Sequence, residues 1–185
     1  MLANIRGNGG GYWFADWFAP WSWIGTTHVD LVDASNKAEP AITEQVTIDG
    51  TYINSRRIGN LLYLVTRHTP TVDGVVPFAE TEEARAANQT IINEVDISDI
   101  MPKIRYSDGS EQDLVSVQDC FVPATSGDGE IYYYPTVTTI TALDLTSPGQ
   151  FDSLCMAEGV SGMHMSLNAL YLSAFNSPGT RPDPA

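Results

Sequence analysis

Apolar and polar residues alternate in short runs along most of the chain, and two-residue turn signals separate the runs: Asp49-Gly50, Gly59-Asn60, Asp108-Gly109 and Asp128-Gly129. Such pairs favour the primed turns of β-hairpins. Around the first two, the pattern predicts a three-stranded meander over Glu44 to Ile48, Thr51 to Ile58 and Leu61 to Arg67. Two-residue loops would set its register, with Ile58 facing Leu61, Arg56 facing Tyr63, Asn54 facing Val65, Tyr52 facing Arg67 and Thr47 beside Tyr52. Val46, Ile48, Ile53, Leu62 and Leu64 then form a core face, and Tyr52, Arg56, Tyr63 and Arg67 share the other.

β-Branched and aromatic residues predict further strands at Lys103 to Tyr106, Leu114 to Val122, Glu130 to Tyr134 and Thr136 to Leu145. Two segments follow a helical period instead. The stretch from Phe78 to Val95 follows Pro77, carries Glu80, Glu82 and Glu83 early, and repeats apolar residues at Ala84, Ala87, Ile91 and Val95. The stretch from Gly162 to Phe175 aligns Met163, Leu167, Leu170 and Ala174, with Asn176-Ser177-Pro178-Gly179 as a stop. The expected fold is therefore mainly β, an antiparallel sandwich or barrel, with two packed α-helices at about 78–95 and 162–175. No internal repeat of 20 to 50 residues is apparent.

The N-terminal segment has a different texture. All four tryptophans, Trp13, Trp17, Trp21 and Trp23, lie within eleven residues, together with Tyr12, Phe14 and Phe18, behind Gly9-Gly10-Gly11. Pro20 disfavours a helix through this stretch. The chain is thus read as an aromatic arm at 1–25, a single β-rich domain at 26–176 and an extended tail at 177–185. The arm can dock on a neighbouring subunit or pack in its own core; either burial involves about 150 to 250 Å² per aromatic ring.

Nine Lys and Arg against 23 Asp and Glu leave a net charge of −14. That argues against direct binding of duplex nucleic acid, which relies on clustered cations. No run reaches the ~18 to 20 apolar residues of a membrane-spanning helix, so a membrane partner is not expected. Asp16 interrupts the aromatic stretch and only Arg6 precedes it, so it does not read as a secretory signal. The charge is unevenly spread. No carboxylate lies between Asp49 and Asp73, where Arg56, Arg57 and Arg67 give about +3 against −17 for the remainder. This asymmetry suggests a head-to-tail contact through Tyr52, Arg56, Tyr63 and Arg67.

Candidate chemistry is sparse. His28, Asp30 and Asp33 form a short cluster able in principle to ligate a divalent cation, but three ligands without a fourth read as a solvated linker leaving the arm. Asp108 to Asp113 lacks the ligand spacing and closing glutamate of a calcium loop and reads as a hairpin turn. His68 and His164 are isolated. No nucleophile elbow, phosphate loop or dinucleotide fingerprint is present. Neither catalytic residues nor a metal or cofactor are assigned. Cys120 and Cys155 have no metal spacing and read as buried thiols; if paired, they would stabilise the fold by about 3 kcal/mol or more.

An aromatic arm, a basic patch on an acidic β body and a Pro-rich tail (Pro178, Pro182, Pro184) are similar in texture to capsid-associated, neck and tail components of bacteriophages. That similarity implies a non-enzymatic structural subunit of a virion, assembled in the host cytoplasm. Its expected partners are copies of itself and neighbouring virion proteins. Its interface residues would be Tyr12, Trp13, Phe14, Trp17, Phe18, Trp21, Trp23, Tyr52, Arg56, Tyr63 and Arg67. The alternative is a carbohydrate-binding or glycan-cleaving β-sandwich, in which Trp and Tyr stack on sugar rings.

Overall fold

The computed structural model describes residues 2–8, 25–76, 79–122, 136–147, 149–157, 160 and 162–173. The aromatic residues of the arm, the strand expected at Glu130 to Tyr134, the Asp128-Gly129 turn and the tail lie outside the described residues.

Five strands build the first sheet: β1 (Leu2–Asn8), β2 (Thr26–Asp33), β3 (Ala41–Asp49), β6 (Lys103–Tyr106) and β7 (Glu111–Asp113), in the order β1-β2-β3-β6-β7, all antiparallel. The second sheet holds β4 (Thr51–Ile58), β5 (Leu61–His68), β9 (Val137–Asp144), β10 (Phe151–Met156) and β8 (Cys120–Phe121), in the order β4-β5-β9-β10-β8. Within it, β4, β5, β9 and β10 pair antiparallel, with a crossover between β5 and β9, and β8 pairs parallel to β10 at the edge. A third, two-stranded sheet joins β11 (Gly162–Met165) to β12 (Leu170–Ser173). One α-helix, α1 (Glu82–Glu94), lies between β5 and β6.

The core lies between the first two sheets. Val29, Leu31, Val46, Ile48 and Ile104 come from the first sheet, and Leu62, Leu64 and Leu143 from the second, with Leu114 and Leu145 alongside. Removing these side chains from water is the main favourable term holding the sheets together. The second sheet also buries threonines, and each finds a partner, as buried hydroxyls require. Thr66 and Thr139 are joined through their Oγ1 atoms at 2.6 Å, Ser153 Oγ donates to Thr141 Oγ1 at 3.0 Å, and Val160 N–H donates to Thr138 Oγ1 at 3.3 Å. A smaller cluster of Met101, Val115 and Cys155 sits beside it, flanked by Cys120 and Val137.

The expected meander is corrected at Asp49-Gly50. β3 and β4 do not pair; the chain passes there from the first sheet to the second, so Thr47 lies beside His28 and Arg105 rather than Tyr52. Gly50 makes the passage at φ 114°, a conformation open to glycine. A Cβ there would lie 3.0 Å from the carbonyl of Arg67. The Gly59-Asn60 and Asp108-Gly109 turns close the β4-β5 and β6-β7 hairpins as expected.

Three further expectations change. The helix expected at 162–175 is the β11-β12 hairpin, closed by Ser166: its N–H donates to the Ala169 carbonyl at 2.9 Å, and its Oγ accepts from Ala169 N–H at 3.0 Å. Met163 and Met165 face Leu172 and Leu170 across it, an alternation that coincides with helical spacing once Leu167 is counted, whereas Leu167 is exposed near the turn. The strand expected at Leu114 to Val122 is cut short. A 3-10 turn at Val117–Asp119, capped by Ser116 Oγ, leaves only Cys120–Phe121 extended. The first helix starts at Glu82 because the Thr81 hydroxyl accepts from Ala84 N–H at 3.2 Å, and it buries no residue, so it is not packed into the core.

Candidate functional site

The segment read as a solvated linker, around His28, Asp30 and Asp33, is strand β2 near the middle of the first sheet. Thr27, Val29 and Leu31 point to the core and are buried, so His28 and Asp30 take the opposite face. Asp30 is nevertheless only 3% exposed, because the strands on both sides close over it. Gln45 Nε2 on β3 donates to its carboxylate at 2.9 Å, Asn4 Nδ2 on β1 at 3.1 Å and Arg6 Nη2 at 3.0 Å. These bonds, led by that from Gln45, hold the Asp30 carboxyl below its ordinary pKa of 3.8 against the opposing effect of burial. Neither Asn4, Arg6 nor Gln45 stood out in the sequence, since no motif joins residues on three strands.

Beside Asp30, the His28 ring bonds Thr47 Oγ1 through Nδ1 at 3.0 Å and Thr26 Oγ1 through Nε2 at 3.3 Å. A recess of about 190 Å³ runs over this face, lined by His28, Asp30, Gln45, Thr47, Tyr106 and Ser107. Asp33 does not join the cluster; its carboxylate accepts from Ser35 N–H at 2.9 Å. Among the described residues no three His, Cys, Asp or Glu side chains converge as a metal site. With its oxygens already bonded to three side chains, Asp30 works as a tie across β1, β2 and β3.

The other histidines are separate. His68, at the end of β5, lies 3.0 Å from the Ile100 carbonyl through Nε2, and burial pushes its pKa below 6.5. His164 faces Tyr171 across the β11-β12 hairpin, with ring centroids 6.2 Å apart. Asp108 closes the β6-β7 turn, its carboxylate accepting from Ser110 N–H at 2.8 Å.

Three of the four residues expected to share one face of the hairpin do so. Ile58 faces Leu61, Arg56 faces Tyr63 and Asn54 faces Val65, as the hairpin register requires. A β-bulge at Ile53 then shifts the pairing, so Tyr52 faces Thr66 and Arg67 faces Thr51. Tyr52 thereby packs against the core cluster, with its hydroxyl 3.1 Å from Ser55 Oγ, and leaves the patch. Arg56, Tyr63 and Arg67 remain on one face of β4 and β5, Arg56 exposed and the other two half-buried, around a fully buried Val65. The arm residues Tyr12, Trp13, Phe14, Trp17, Phe18, Trp21 and Trp23 lie outside the described residues.

Cys120 and Cys155 are not thiols but a disulfide, with Cα atoms 4.4 Å apart where β8 pairs with β10. The bond ties the segment leaving the first sheet at β7 to the edge of the second sheet.

No curated protein and no solved structure matches the chain. A family model does, described as a beta propeller domain and matching residues 7–183. The match covers nearly the whole chain. The chain belongs to the beta propeller domain family.

Proposed function

We propose that this chain is a non-enzymatic assembly module, a set of propeller blades that docks on copies of itself and on neighbouring subunits. The observation that carries this reading is the separation of a basic hairpin, with Arg56, Arg57 and Arg67 and no carboxylate between Asp49 and Asp73, from an otherwise acidic chain. The described residues form two five-stranded sheets and one two-stranded sheet, which this reading takes as parts of propeller blades. The aromatic arm adds support.

The proposed setting is a virus particle of the bacteriophage kind, with the chain as a capsid-associated, neck or tail component. Its support is the aromatic arm and the Pro-rich tail of the sequence. The Cys120–Cys155 disulfide favours an oxidising medium for the finished protein, which suits a particle after release from the host cytoplasm.

The test must spare β1, because Asn4 and Arg6 hold Asp30. Light scattering after size exclusion is therefore compared for the full chain and for a variant whose residues 9–24 are replaced by a Gly/Ser linker of equal length. The expected result is a multimer for the full chain and a smaller, folded species for the variant. A full chain that is monomeric at every concentration would remove the reading, and binding to a glycan array by that monomer would favour the carbohydrate alternative.

A further inference from the structure

Helix α1 has an unusual environment for its length. It has thirteen residues, none of them buried, and no extensive contact with any strand among the described residues. Isolated helices shorter than ~12 to 15 residues are marginal in water, and helices in proteins draw most of their stability from packing. The local supports recorded for α1 are the Thr81 cap, two hydrogen bonds of 2.9 Å between Asn88 and the backbone of Val76, and Arg85 bonds to the carbonyls of Ala79 and Glu80. Ile92 stays 50% exposed, and Val76 and Ile97 beside the helix 53% each. The surrounding charge is one-sided. Residues 79–99 carry Glu80, Glu82, Glu83, Glu94, Asp96 and Asp99 against Arg85 alone, a net charge of −5.

The opposite charge sits at the tip of the β4-β5 hairpin, where Arg56 and Arg57 are exposed and no carboxylate lies between residues 50 and 72. No carboxylate among the described residues pairs with Arg56. The tip and the root of the helical excursion lie at opposite ends of β5. Leu61 follows the tip, and His68 at the other end bonds Ile100, where the excursion returns. Eight residues of strand separate the two by about 23 Å.

We infer that the basic hairpin tip of one copy docks on the acidic segment around α1, residues 79–99, of a second copy, head to tail. The inference rests on the assembly reading above and names a contact for it. The arginines and carboxylates set orientation and speed of encounter, while Val76, Ile92 and Ile97 provide the apolar area that gains by losing water. Because donor and acceptor surfaces differ, the contact is heterologous and generates a ring if its rotation closes.

Two charge-reversal variants test this. The first is Arg56→Glu with Arg57→Glu. The second is Glu94→Lys with Asp99→Lys; Glu94 lies in the last turn of α1, where a cation does not oppose the helix dipole, and Asp99 in the 3-10 turn that follows. Circular dichroism checks that each is folded, and analytical ultracentrifugation reads the assembly. Each variant alone is expected to associate at least tenfold more weakly than the unmodified chain, and an equimolar mixture is expected to form hetero-dimers, since the unaltered hairpin of the second variant meets the unaltered helix of the first. Folded variants that assemble like the unmodified chain, or a mixture that stays apart, would overturn this contact and leave the assembly reading standing. An unmodified chain that never associates would overturn both.

Discussion

Gly50 joins the two sheets in a conformation that few side chains adopt, with the backbone of Arg67 pressed against it. Gly50→Ala is expected to destabilise the protein by about 1 to 3 kcal/mol, combining a strained positive φ with a contact that only a shift of β5 relieves. Urea denaturation checks this, and an unchanged midpoint would mean that the passage between sheets adapts freely. His68 gives a pH signature. Its folded pKa lies below the ordinary 6.5, so near and below that value the unfolded chain binds more protons than the folded one. The contribution of His68 is fully present above pH 6.5 and is lost as pH falls through the folded pKa. Thermal melts from pH 8 to pH 5 are expected to show Tm falling on acidification, with a smaller fall in His68→Gln. At this scale the sequence was partly legible. Thr27, Val29 and Leu31 already alternate with His28 and Asp30, and reading that alternation would have placed His28 and Asp30 in a strand. The partners of Asp30 come from β1 and β3, and no local pattern joins them.

Elements were legible where local signals agreed and illegible where tertiary pairing decided. Gly59-Asn60 fixed the β4-β5 hairpin and most of its register, until the bulge at Ile53 turned Tyr52 inward. Asp49-Gly50 carries the same turn chemistry, yet β3 finds β2 and β6 as neighbours, so the turn links two sheets. In the C-terminal segment an i, i+4, i+7 spacing mimicked a helix because a hairpin turn fell between two alternating runs. β8 lies within the strand expected at Leu114 to Val122, but its parallel pairing with a partner 35 residues away gives no local pattern. Its covalent tie carries a prediction. Closing a loop of 35 residues removes unfolded-chain entropy worth about 4 kcal/mol, so Cys120→Ser with Cys155→Ala is expected to lose most of that in chemical denaturation. Equal stability with and without the bond would show that β8 is held by the Met101, Val115 and Val137 cluster alone.

For the molecule as a whole, a mainly β fold was readable from the alternation, and the core residues Val46, Ile48, Leu62 and Leu64 were assigned correctly, whereas Ile53 sits at the bulge outside the core. The division of strands between sheets was not, because it depends on which faces bury each other. At this scale the proposal is that the chain works as part of an assembly. The most direct test is the mass of the full chain in solution across a concentration series, by sedimentation equilibrium. The account predicts a discrete species at an integer multiple of 20.1 kDa that persists on dilution into the low micromolar range and weakens as salt is raised. A single species of 20.1 kDa at every concentration, folded and stable, would contradict it.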